Sequence, residues 1–483
     1  MNMGDVNVTS KTEHERFVSG HSGTSQLEIA LQLSVPVAAV LLRDALFMFL
    51  TLNHWKPPLW IRFGIDYMLA VFPLLLMATL LNEFSVKCLM TLLCGGLLLI
   101  GMIMVSKKKT AKKKQISWLD INMSGKRLFI DYYRAFINVG TAVVILAVDF
   151  QIFPRRFAKT ETYGTGLMDS GVGCFVMANA IVSPEARGKH QGDRCKMILN
   201  SIKSCLPLVL LGLVRVVSVK NLDYHEHVTE YGVHWNFFIT LAAVKIFSTV
   251  LFTVFPVSFS GIVSIIIAVL YQYVLSYRGL SDYIRNGRNG QDVRTDLIDA
   301  NREGIYSSIG YIAIYMAGVQ LGTFIFQKRE RLYDWCKVLG YIVVICIISN
   351  GLLYLVQPHV EPISRRLCNA AYILWMVNLN HILLAGYLIV DMVLTVVRHW
   401  CKESLKKVKT KDSDLTSCII SAVNYNGLGF FLLSNLSTGI VNLSIKTIHT
   451  PPTLSFIVLF IYTFILSVII VGLFKFKISL KFW

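Results

Sequence analysis

Charge is what this sequence has least of. Only 16% of its 483 residues are Asp, Glu, Lys or Arg, against 54% hydrophobic, and the mean hydropathy is +0.56. Ordinary soluble domains carry about 25% charged residues, and a large soluble core needs a charged surface to cover it. That shortage excludes a soluble enzyme, and the apolar excess excludes a disordered chain. Paired cysteines are missing too. The ten cysteines form no CxxC pair and are scattered along the chain, so they read as small free thiols and not as a disulfide framework. The first roughly 28 residues lack the basic-then-apolar order of a cleaved signal peptide, so the first apolar run is expected to act as an uncleaved anchor. No internal repeat of the kind found in inverted-repeat transporters is evident.

Long apolar runs are what the chain does have. A run of roughly 18–25 apolar residues can cross a bilayer core of about 30 Å as a helix. About thirteen such runs are expected, centred near Val40, Leu74, Leu97, Val144, Phe175, Leu210, Lys245, Ile267, Met316, Val344, Leu383, Leu433 and Phe464. The fold class expected is an all-α polytopic membrane protein. Its net charge of +18 could suggest nucleic acid, but the position of the charges argues otherwise. The heaviest basic clusters, Lys107 to Lys109 with Lys112 to Lys114 and the Arg398–Lys411 loop, follow odd-numbered spans. The positive-inside rule places those loops and the C-terminus in the cytosol and the N-terminus in the lumen. The charge is therefore topology, the partner is the lipid bilayer, and no nucleic acid is expected. The organisation expected is a lumenal tail (1–28), one polytopic unit (29–475) and a cytosolic tail (476–483). Of four N-x-S/T sequons, at Asn7, Asn122, Asn435 and Asn442, only Asn7 lies in a free tail where glycosylation is sterically easy.

The connections after even-numbered spans differ in kind, being dense in polar, aromatic and acid/base residues. Asp149 ends an apolar run, where an ionised carboxylate is costly unless paired. Pro154 breaks the helix just beyond it, which lets Arg155, Arg156 and Lys159 fold back toward it. A salt bridge closing a helix end fits this segment as well as a catalytic site does. Asp169 stands in a Gly-rich span, which suggests tight packing around a polar cavity. The next polar loop holds His225, Glu226, His227, Glu230, Tyr231, His234 and Asn236. Its spacing does not match HExxH, so no metal site is expected. A hydrogen-bonding surface for a polyhydroxyl substrate is the preferred reading, with His225 or His234 available for proton transfer. Asn301 and Arg302 precede another span, and Arg365, Arg366 and Asn369 form a fourth cluster. Paired arginines suit phosphate, although a single arginine at a span end is more often a snorkelling anchor. Asn435 and its neighbours Asn424, Asn426 and Asn442 put more amide into the last spans than a lipid-facing helix tolerates. Together these features predict a polar chamber inside the membrane. His381, alone in an apolar span, reads as structural. From physics alone, a multi-span lipid or small-molecule transporter is the alternative to an enzyme.

Several of these segments carry a family resemblance. AVDFQIFPRRFAK (147–159), MDSGVGCFVMANAIVS (168–183), KNLDYHEHVTEYGVHWNFFITL (220–241), ANREGI (300–305), SRRLCNAAYILW (364–375), NGLGFFLLSNLSTGIVNLS (426–444) and ERFVSGHSGTSQLEI (15–29) occur in order over nearly the whole chain. In these it resembles the inositol acyltransferases of glycosylphosphatidylinositol (GPI) biosynthesis, the phosphatidylinositol-glycan class W proteins of animals and Gwt proteins of yeasts. The resemblance implies a multi-pass enzyme of the endoplasmic reticulum membrane. It would move palmitoyl from acyl-CoA to the inositol 2-hydroxyl of glucosaminyl-phosphatidylinositol, with acyl-CoA as co-substrate and no bound cofactor. It also implies that Asp149 and Lys159 are catalytic. A secondary alcohol needs a nearby base, and thioester attack builds an oxyanion that needs a fixed positive charge. Arg155 and Arg156 would hold phosphate. The donor is cytosolic while the polar clusters fall on the expected lumenal side, so the donor must reach the chamber through the protein or the span parity must fail before residue 149.

Overall fold

A computed structural model describes residues 17, 19–108, 117–189, 193–221, 228–288, 290, 292–294, 296–407 and 418–481. Thirteen helices match the thirteen expected spans in order. They are α1 (Gln26–Leu52), α2 (Leu59–Ala78, with a π-helical turn at Tyr67–Val71), α3 (Ser85–Lys108), α4 (Leu128–Ala147), α5 (Ser170–Ile181), α6 (Arg194–Asn221), α7 (Phe237–Val254), α8 (Ser260–Tyr277), α9 (Arg302–Ile325), α10 (Leu332–His359), α11 (Ala370–Lys407), α12 (Gly427–Ser444) and α13 (Pro452–Lys475). Twelve of these are long and apolar enough to cross a membrane, and among the described residues there is no β-strand. The molecule is an all-α polytopic membrane protein.

The exception in length is α5. Its 12 residues rise about 18 Å, well short of a bilayer core of about 30 Å. The missing depth is made up by the irregular segment 148–169 that precedes it. Non-helical backbone at membrane depth survives only where protein covers it or where it lines a cavity. Here Phe150, Phe153 and Phe157 are fully buried and anchor the segment in the core. A second departure concerns Arg398–Lys411, expected as a loop. Residues Arg398–Lys407 continue α11, whose 38 residues rise about 57 Å and run past the bilayer; residues 408–411 lie outside the described residues.

Inside the bundle, α9 packs on α5 and α8, α11 on α10, α1 and α4, and α1 on α3. The faces of α3, α6 and α10 are largely uncovered by protein and strongly apolar, the pattern of helices turned toward lipid. The N-terminal residues and the even-numbered connections meet at one end. Thr24 N–H donates to Thr165 O (2.6 Å), Gly164 N–H to Ile363 O (2.9 Å), and Val233 N–H to Ala300 O (2.9 Å). Gly164 sits there at φ +122°, and a Cβ on it would collide with the Ser22 carbonyl. Odd-numbered connections meet at the other end, where Met123 N–H donates to Glu330 O (2.7 Å) and Leu332 N–H to Ile121 O (2.9 Å). Counting every helix as a crossing gives the same partition.

Candidate active site

Segment 148–169 begins where α4 runs out. Arg155 folds back on the helix end, and its Nη2 donates to the carbonyls of Val148 (2.9 Å), Phe150 (3.0 Å) and Phe153 (2.9 Å). A cation is favourable there because the last carbonyls of a helix lack partners. The guanidinium also lies 4.1 Å from the Phe17 ring. Arg156 ties the segment to other elements, pairing with Glu28 (3.0 Å) and donating to Asn82 Oδ1 (2.7 Å). Asp169 closes the far end by accepting from the backbone N–H groups of Thr160 (3.1 Å) and Gly166 (2.8 Å). A Cβ on Gly166 would strike the Ala158 carbonyl, so the turn needs glycine.

This frame presents Lys159. Its ammonium donates to Glu230 Oε2 at 2.7 Å, Glu230 Oε1 lies 3.7 Å from Arg365 Nη1, and Arg365 Nε pairs with Asp169 at 2.7 Å. Side-chain exposure falls along this chain from 38% for Lys159 to 15%, 6% and 0%, so Lys159 is its accessible end. Burial alone would raise the Glu230 carboxyl, but the Lys159 ammonium and the Arg365 guanidinium overcome that effect and pull it down to about 2. Burial likewise disfavours charge on Arg365, yet Glu230 and Asp169 raise its pKa above the ordinary arginine value.

Lys159 and Glu230 line a cavity of about 230 Å³. Tyr231, Arg215 and Asn435 are among its other polar lining residues, with Gln32, Thr141 and Ser170, and its walls are mainly apolar side chains of α1, α2, α4, α5, α11 and α12. Asp149, the other expected catalytic residue, is buried just past the end of α4 and accepts from Asn442 Nδ2 of α12 at 2.8 Å. The two residues thus stand on separate polar pairs flanking the same irregular segment.

The remaining expected site residues divide by role. Arg366 turns away from Arg365 and reaches Glu303 (3.1 Å). Arg302, fully buried, bonds the Ile284 carbonyl (3.0 Å) and pairs with Asp292 and Asp299. Asn236 caps α7 by accepting from Phe238 and Ile239 N–H while donating to Gly212 O (2.9 Å). Asn301 accepts from His234 N–H (2.7 Å), and Asn369 joins Ser364, Pro362 and Tyr372. These amides spend their hydrogen bonds inside the protein and hold the loops in register. Buried His234 Nδ1 has no hydrogen-bond partner among the described residues. His381 Nδ1 meets the Val377 carbonyl at 2.7 Å within its own helix. His225, His227 and Asn7 lie outside the described residues. Glu230 and Arg215 were not among the expected site residues. Glu230 sits in the acid- and histidine-rich loop, but nothing in the spacing separates it from Glu226.

The profile of the GWT1 family matches residues 10–473. The chain is similar to the glucosaminyl-phosphatidylinositol-acyltransferase PIGW of Bos taurus, 38% identical over 507 positions that cover 99% of this chain and all of the relative. It is 36% identical to the Homo sapiens protein of the same name over 504 positions, with the same coverage. Similarity extends to the GPI-anchored wall transfer protein 1 of Gibberella zeae, 34% identical over 506 positions covering 98% of each chain. With the profile over nearly its whole length and relatives aligned end to end, the chain belongs to the GWT1 family.

Proposed function

We propose that this protein is an O-acyltransferase that moves palmitoyl from acyl-CoA to the inositol 2-hydroxyl of glucosaminyl-phosphatidylinositol, at the endoplasmic reticulum membrane. Relatives that match end to end are named as acyltransferases acting on that glycolipid. The observation that carries the reading is Lys159, fixed by Glu230 at the rim of a cavity whose walls are otherwise mainly apolar. Such walls suit an acyl chain, and the rim suits a reacting thioester.

In this reading Glu230 stays ionised and keeps the Lys159 ammonium in place. Lys159 then donates to the carbonyl oxygen of the thioester as negative charge develops on it. Asp149 takes the proton of the inositol hydroxyl as its oxygen attacks the carbonyl carbon. The C–O ester bond forms, the C–S bond breaks, and the proton passes from Asp149 to the departing CoA thiolate. Tyr231, Asn435 and Arg215 are the rim groups able to meet the glycolipid headgroup. The other expected site residues, Arg155 and Arg156 included, act by holding segment 148–169 and its neighbouring loops. The test is incubation of purified protein with labelled palmitoyl-CoA and glucosaminyl-phosphatidylinositol. Label in a base-labile glycolipid ester is expected. Movement of lipid across proteoliposomes with no new ester would replace this reading by transport.

A further inference from the structure

The cavity bordered by Lys159 has a second polar patch, on α1, with no role in the reaction steps above. Gln32 lines the cavity there and is only 3% exposed. Its Nε2 donates to the Asn82 carbonyl (2.7 Å) and to Ser85 Oγ (2.9 Å). Ser85 Oγ in turn donates to the same carbonyl at 2.8 Å, so it accepts from Gln32. These bonds fix which way the amide faces, because a reversed amide would set its oxygen against the Asn82 oxygen. Gln32 Oε1 is then left buried without a hydrogen-bond partner among the described residues. A buried acceptor with no donor is costly, and in native proteins such groups are almost always met.

A second oxygen stands beside it. Pro36 lies one turn further along α1 and also lines the cavity. Proline has no N–H, so the helical hydrogen bond that the Gln32 backbone carbonyl would accept from position 36 cannot form. Inside a membrane, a carbonyl freed in this way is tolerated where protein or a polar cavity satisfies it. One residue therefore brings two acceptor oxygens, side-chain and backbone, to the cavity wall. Their position is held firmly. Asn82, which anchors the Gln32 amide, accepts from Arg156 through Oδ1 (2.7 Å), and Glu28, one turn before Gln32, pairs with the same guanidinium (3.0 Å). Arg156 belongs to the segment that carries Asp149 and Lys159, so α1 and the reacting groups are clamped together.

Oxygens that only accept call for a ligand that donates. Neutral amide oxygens suit hydroxyls; a buried cation would need a carboxylate beside it, and Glu28 is already engaged by Arg156. An acyl chain and a thioester have no donor to offer. Among the reactants, the inositol ring is the hydroxyl-rich group. We propose that Gln32 accepts hydrogen bonds from inositol hydroxyls other than the one that reacts, and so turns the ring's single axial hydroxyl, at position 2, toward Asp149. This rests on the acyl-transfer reading above. Gln32 is then a specificity-determining contact: it leaves the chemistry to Asp149 and Lys159 and decides which hydroxyl reaches them.

The test uses full-length protein in nanodiscs, with labelled palmitoyl-CoA and glucosaminyl-phosphatidylinositol. Gln32→Met keeps the length of the side chain and removes its acceptor. KM for the glycolipid should rise about five-fold, the loss of one neutral hydrogen bond, while KM for palmitoyl-CoA stays within about two-fold. Ester should also appear at inositol hydroxyls other than position 2. Deoxy-inositol analogues of the glycolipid probe the same bond in the wild type, with no substitution to misfold. One analogue lacking a single non-reacting hydroxyl should lose a similar factor there, and lose nothing further in Gln32→Met. Full activity of every analogue with the wild type overturns the contact. So does a variant that melts earlier but keeps the wild-type glycolipid KM and ester position, which would make Gln32 purely structural. A rise in KM for palmitoyl-CoA alone also overturns it, by assigning Gln32 to the amides of the donor's pantetheine arm. Direct binding of labelled glycolipid separates the two proposals: Gln32-dependent binding without product removes acyl transfer alone, and product with an unmoved glycolipid KM removes the Gln32 contact alone.

Discussion

Two regions of the bundle handle charge in opposite ways. Around Lys159, cations and carboxylates form one continuous chain through Glu230 and Arg365 to Asp169. At the other end the charge is divided. One part is a closed buried cluster, in which Arg43 pairs with Asp66 (2.7 Å) and Asp44 (2.8 Å), Tyr132 donates to Asp44 (2.7 Å), and Cys418 N–H donates to Asp66 (2.6 Å). The other part is a looser set held by ring contacts, Arg127 and Arg187 on Phe326 and Arg329 on Phe324. Buried charges are costly unless paired and hydrogen-bonded. A closed cluster therefore holds shape, whereas a chain whose last member is accessible is arranged for something that arrives.

The comparison breaks most sharply at Lys159. Lys159→Ala should reduce acyl transfer by about 10²–10⁴-fold, the range for loss of an oxyanion donor or a general acid–base group, with expression and membrane insertion intact. Asp149→Asn should fall in the same range. Wild-type turnover in either purified variant would remove that residue from the chemistry. Arg43→Ala should do the reverse. Breaking a buried pair costs about 3–5 kcal/mol, so its melting temperature should drop steeply while turnover per folded molecule holds. Loss of turnover in protein shown to be folded would mean that the closed cluster serves the reaction directly.

Glu230 tests how the two members of the accessible pair divide their work. Its carboxyl is pulled down to about 2. A depressed carboxyl contributes its stabilisation fully above the ordinary carboxylate range and loses it only as pH falls toward that value. Through pH 5–8 the pair with Lys159 is therefore intact, and any acid limb of kcat/KM in that window belongs to another group. Glu230→Gln should lower kcat by about ten-fold through loosened placement of Lys159, and should leave the midpoint of that limb where it is. An acid limb that vanishes in the variant would make Glu230 the titrating base.

Much of this was legible in the residues, and what was not has a physical reason. Apolar runs set twelve of the thirteen helices because a bilayer demands length and little else. Helix α5 came out short because Asp169 and Gly166 stop it, and hydropathy does not register a segment buried by its own protein. The Asp149–Lys159 segment stood out because charge is rare beside an apolar run. Its partners did not. Glu230 and Asn442 reach the segment from 71 and 293 residues away, and no local pattern encodes which distant side chain will arrive. The buried amides at Asn236, Asn301 and Asn369 had the composition of a substrate surface. Asn236 caps α7, and Asn301 and Asn369 tie loop backbone together, because loops at membrane depth must satisfy their backbone groups internally.

The smallest expected effect concerns the apolar walls, and it is also the most specific to the proposed reaction. Gly140, midway along α4, lines the cavity below Lys159, and a Cβ built there meets nothing within 4 Å. Gly140→Leu should therefore be accepted by the fold and fill space otherwise open to the acyl chain, without touching the rim. Each methylene left unburied costs about 0.8 kcal/mol, close to four-fold in discrimination. Palmitoyl-CoA should then lose kcat/KM by several-fold relative to lauroyl-CoA, while KM for the glycolipid stays constant. Equal losses for both donors would place the chain outside this cavity, and the lysine at its rim would need another explanation.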